Sequence, residues 1–211
     1  MTFGPSSQST DAGDNERVLN PFVDEDIPQD AQVFVLLGVL IGAMFGALLV
    51  FFICGEILSD PGGAQGALFV VAWIALPALL CVLALVRPQA AYPVLVVMVG
   101  LVLLAALATI PFARGVWEFE DTHGPINLVV LIGALIPLIA LGRAMPWRAG
   151  WLLIALIAGA VGLQAISLSL IGQWSVILVF AVLMPPFIAA AILFVIGGAR
   201  ARRDSNPQPT G

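Results

Sequence analysis

The sequence predicts an all-α integral membrane protein: a bundle of six transmembrane helices with both termini in the cytoplasm. Three observations predict it. First, the stretches 31–55, 66–86, 93–112, 126–142, 149–172 and 175–198 contain no Asp, Glu, Lys, Arg or His. Each reaches the roughly 17–25 apolar residues that carry a helix across a hydrocarbon core. Second, 61% of the 211 residues are hydrophobic and only 10% are charged, against roughly 25% charged in a soluble domain. Water cannot solvate most of such a surface. Third, if the spans alternate, Arg17, Arg87, Arg143, Arg148, Arg200, Arg202 and Arg203 share one side and Arg114 stands alone on the other. The positive-inside rule makes the crowded side cytoplasmic.

Residues 1–30 hold seven of the thirteen acids among Ser, Gly, Pro and Asn. Such a segment buries too little apolar surface to fold, so an acidic, disordered cytoplasmic tail is expected. Leu19, Phe22, Val23 and Ile27 interrupt the acids. They read either as a docking motif for a cytoplasmic partner or as an apolar strip against the bundle. The segment has neither a basic start nor an apolar run, so it is no cleavable signal, and the first span serves for insertion.

The first span carries Gly38, Gly42 and Gly46 in a tandem GxxxG. Residues four apart share a helix face, and three glycines leave a smooth groove that another backbone can approach closely. The occupant is either another helix of this chain or a protein partner or second copy. Span five is the internal candidate, because Ala158 and Gly162 form a looser small-xxx-small pair.

Spans two, four and six carry Pro77, Pro137 and the pair Pro185–Pro186 near their middles, and the odd-numbered spans have none there. Proline removes a backbone donor and presses on the carbonyl four residues back, so kinks are expected. A straight helix followed by a kinked one would then repeat as a hairpin. Broken helices near the midplane are also where transporters build solute sites. In span five, Gln164 and Ser167 are three apart and share a face. They are placed either to bond a carbonyl freed by Pro185 or Pro186, or to contact a ligand.

The spans are bordered by Trp117, Phe119, Trp147, Trp151 and Trp174, which fits the aromatic belt of a membrane interface. Trp73 lies inside span two and reads as a packed or lipid-facing side chain. Cys54 and Cys81 fall at depths ~20 Å apart at 1.5 Å per residue, beyond the reach of a disulfide, so two free thiols are expected.

Between spans three and four lies an acidic outer loop with Glu118, Glu120, Asp121 and His123. On an extended strand Glu118 and Glu120 would share a side and Asp121 would face away. This is not a recognised metal-ligand spacing, so a solvated acidic loop and no metal are expected. A second short tail, 200–211, is expected to be disordered. Its Asp204–Ser205–Asn206–Pro207 string resembles an antisense translation of a tRNA gene's T-arm.

All eight basic residues are Arg, and Ala, Gly, Val and Leu abound. That is the composition of a high-GC, actinobacterial-type genome, and it places the chain in a bacterial plasma membrane. No basic patch suits nucleic acid. No glycine-rich phosphate loop, Ser-His-Asp set or CxxC pair is present, and a single histidine rules out a bis-imidazole haem site, so neither a cofactor nor an enzyme is expected. The expected function is a non-catalytic subunit or assembly factor of a larger membrane complex. The alternative is a transport component, a permease or substrate-binding subunit for an uncharged, apolar or lipid-like solute. For that reading, the only likeness to the vitamin-transporter subunits is one of size.

Overall fold

The computed structural model describes residues 29–59, 63–124 and 126–204. Every regular element among them is helical. α1 (Gln29–Ile57) and α2 (Gly63–Val86) form the first hairpin. α3 (Pro88–Thr109) passes through a 3-10 turn (Ile110–Phe112) into α4 (Ala113–His123). Then come α5 (Ile126–Gly142), α6 (Pro146–Leu170), α7 (Trp174–Leu183) and α8 (Pro185–Asp204). Five helical stretches are long and apolar enough to cross a membrane, and α5 is a shorter apolar sixth.

Local chemistry sets the breaks. Pro88 and Pro146 open α3 and α6 after Arg87 and Met145, whose backbones have left the helical region. Proline suits a first helical turn because its missing N–H would find no partner there anyway. Gly124 follows α4 at φ +91°, a left-handed stop that only glycine adopts cheaply.

α5 is the centre of the bundle. It packs against α1, α2, α3 and α6, and Ile132, Leu135, Leu138 and Leu141 are fully buried. A helix that is apolar all round belongs in such a position. α8 lies between α1 and α6 and inserts Phe187 and Phe194, both fully buried. The outer faces are the reverse: Leu36, Phe51, Leu68 and Val182 are 71%, 81%, 72% and 77% exposed. An apolar surface this extensive does not face water; it fits a lipid bilayer.

Four expectations change. The sixth span is divided at Met184, a bend that keeps helical dihedrals, into α7 and α8, where Pro185 and Pro186 remove consecutive donors. The acidic outer loop is helix α4. α3 begins at Pro88, five residues ahead of the expected 93. α8 continues to Asp204, so residues 200–204 are helical, not tail. Most of the acidic tail, with Arg17 and the Leu19, Phe22, Val23 and Ile27 motif, lies outside the described residues, as does 205–211. Cys54 and Cys81 are free thiols.

Candidate functional site

All three glycines of the α1 face are buried, and this chain itself covers them. A β-carbon on Gly38 would lie 2.8 Å from Phe194 Cε1 and 3.2 Å from the Ala190 carbonyl oxygen. On Gly42 it would lie 3.0 Å from Ile139, and on Gly46 3.7 Å from Ile136. The groove is therefore filled by α8 at one end and α5 along the rest. Of the two occupants expected for this face, another helix of this chain or a protein partner or second copy, α8 and α5 of this chain are the ones that lie on it. Span five is corrected as the internal occupant. Ala158 and Gly162 are exposed, and nothing lies within 4 Å of where a Gly162 β-carbon would sit.

Phe194 is the knob in this lock. On its other side a β-carbon at Gly142 would overlap the ring at Cε2 and Cζ. The ring thus lies between Gly38 of α1 and Gly142 of α5 and cannot retreat from one without meeting the other. Other glycines permit the remaining close approaches. At Gly150 a β-carbon would lie 2.9 Å from the Ala191 carbonyl oxygen, and at Gly198 2.7 Å from Trp147 Cα. α6 and α8 therefore touch nearly backbone to backbone, the contact that dispersion favours inside a membrane.

The prolines divide into two kinds. Pro77 lies inside α2 and Pro137 inside α5. Pro185 opens α8, and the chain turns at Met184. The Met184 carbonyl accepts from both the Phe187 and Ile188 N–H groups at 3.0 Å, which starts the new helix. Gln164 is half-buried and Ser167 is buried. The hydroxyl that bonds locally is Ser169, donating to the Ile166 carbonyl at 2.7 Å. The expected bridge from Gln164 or Ser167 to the proline bend does not form among the described residues. Trp73 makes the interhelical bond instead: its indole N–H donates to the Val129 carbonyl at 3.2 Å, and Gly133 leaves room for the ring.

On a helix, residues two apart point about 200° away from each other. Glu118 and Glu120 therefore do not share a side, as they would on a strand. Glu118 and Asp121 are exposed, and Glu120 turns inward. His123 is the last residue of α4. The Asn127 backbone N–H donates to Glu120 Oε1 at 2.7 Å, so this carboxylate caps the start of α5. Burial pushes the Glu120 carboxyl up, and the Asn127 groups oppose that rise. The Asn127 side-chain nitrogen is near but makes no bond of hydrogen-bonding geometry. Among the described residues, no three of His, Cys, Asp and Glu are grouped to hold a metal ion.

The opposite end of the bundle is basic. The starts of α1, α3 and α6 and the end of α8 meet there through three cation–π contacts. The Arg148 guanidinium carbon lies 4.9 Å from the Tyr92 ring centre, that of Arg200 4.2 Å from Phe34, and that of Arg202 4.9 Å from Trp147. Trp147 also meets Trp151 edge to face at 5.7 Å.

The sequence reading missed Phe194, Gly142, Gly150 and Gly198. A signal existed in α8, where Ala190, Ala191, Gly197, Gly198 and Ala201 recur at helical spacing around Phe194. Compared with known protein families, curated proteins and solved structures, the chain matches none.

Proposed function

We propose that this protein is a non-catalytic component of a larger membrane assembly, a subunit or an assembly factor. The observation that carries the reading is its interior. The helices that carry central prolines contribute fully buried apolar side chains to one core cluster, Ile132, Leu135 and Leu138 from α5 and Phe187 and Phe194 from α8. Broken helices serve transport where they line a site; here the bend at Met184 abuts packed phenylalanine. Polar chemistry sits at the two ends, at acidic α4 and the basic end of α8, where a partner outside the hydrocarbon can reach it.

The arginine asymmetry supports placing the basic end, and with it both termini, in the cytoplasm. The lysine-free composition supports a bacterial plasma membrane. Purification of the tagged full-length protein from native membranes tests the reading. A stoichiometric partner that stays bound in mild detergent supports it. A protein recovered alone with a bound small molecule, released by Gln164→Ala, would instead establish the transport alternative.

A further inference from the structure

We propose that the basic end of the bundle is a binding collar for anionic phospholipid headgroups, with Arg148 and Arg200 as its main donors. Arg87, Arg143, Arg148, Arg200, Arg202 and Arg203 gather at this end, against Asp30 and Asp204 as the only acids there among the described residues. The opposite end has one arginine, Arg114, and carries Glu56, Glu118, Glu120 and Asp121. The bundle is thus electrically polarised along its axis.

The aromatic contacts make these arginines more than loose surface charges. A guanidinium held against a ring by a cation–π contact is restricted in where it can go, and the ring accepts no hydrogen bond that would occupy all its N–H groups. The guanidinium fork matches two phosphate oxygens. Arg148 and Arg200 are exposed, and neither is joined to a carboxylate among the described residues.

The surface beneath the arginines identifies the partner. One turn deeper than Arg148 on the same face of α6 lies Trp151, 50% exposed, and one turn deeper than Arg200 on the same face of α8 lies Ile196, 37% exposed. A molecule that covers these apolar side chains with acyl tails places its phosphate at the level of the guanidinium groups. A lipid satisfies both at once, and an anionic one gains from the surplus of positive charge that the described residues carry at this end.

Native mass spectrometry of the full-length protein, released from nanodiscs of mixed phosphatidylglycerol and phosphatidylcholine, tests the proposal. We expect retained lipid to be enriched in phosphatidylglycerol and the enrichment to fall with added salt. One surface arginine contributes roughly fivefold to anionic-lipid binding, so Arg148→Gln with Arg200→Gln should lower it about 30-fold. Arg114→Gln, at the other end, should leave it unchanged. The proposal is overturned if the double variant retains phosphatidylglycerol as wild type does, or if Arg114→Gln lowers retention equally. It is also overturned if enrichment appears only after residues 1–28 are deleted, since the acidic segment would then be the occupant. The double variant lies outside the apolar core, and an unchanged melting temperature in phosphatidylcholine alone shows that it is folded.

Discussion

α1 and α6 both carry small residues four apart, and the fold treats the two stripes in opposite ways. On α1, Gly38, Gly42 and Gly46 are buried against α8 and α5; on α6, Ala158 and Gly162 face outward. A groove decides nothing until a knob of matching shape is found for it. Phe194 fits α1 because Gly142 opens space for the same ring from the far side. α6 meets α8 through Gly150 instead, on another face, so its Ala158 stripe is left to lipid.

The largest effect expected from this comparison follows removal of the knob. Phe194→Ala should cost about 3–5 kcal/mol, the usual loss for a fully buried phenylalanine, read from reversible unfolding in detergent or bicelles. Next come the glycines that hold it. Gly38→Ala and Gly142→Ala should each cost about 1–3 kcal/mol through overpacking. Gly46→Ala, with Ile136 at 3.7 Å, should cost almost nothing although it belongs to the same motif. A uniform loss along the three α1 positions would break the account.

The cap at α5 comes next. Glu120→Ala should cost about 1 kcal/mol as the start of α5 loses its acceptor. Glu120→Gln keeps an acceptor and removes the buried charge, so at neutral pH it should match or exceed wild type. The raised carboxyl also fixes the sign of the pH effect. A folded value above the unfolded one favours folding below the ordinary glutamate range, and that contribution is lost as pH rises through the folded value. Melting curves should show this slope in wild type and lack it in Glu120→Gln; equal slopes would contradict it. The smallest effect is on α6: Gly162→Ala should change stability by less than about 0.5 kcal/mol, as an outward-facing surface substitution.

The limits of the sequence reading have physical causes. Uncharged length alone located the spans, and 126–142 coincides with α5, because hydrocarbon thickness sets helix length whatever the helix packs on. α4 was hidden because its inward positions, Ala113, Val116, Trp117 and Glu120, have helical spacing but end in an acid, which broke the apolar stripe. The cap on Asn127 explains that acid only once the two helices are seen together. The double proline signalled a distortion, and the bend falls one residue ahead of it, at Met184, whose carbonyl still accepts from the Phe187 and Ile188 N–H groups. The occupant of the glycine groove was least legible, since Gly38, Gly142 and Phe194 lie far apart in the chain.

The central claim is that the α1 glycine face is locked by this chain's own Phe194, and a double-mutant cycle tests it most directly. Unfolding free energies of wild type, Gly38→Ala, Phe194→Leu and the double variant would be compared. The smaller side chain should relieve the clash, so the double variant should be more stable than the sum of the single losses by about 1 kcal/mol or more, as for residues in contact. Strict additivity, or a Gly38→Ala chain that folds like wild type but loses a bound partner, would contradict it.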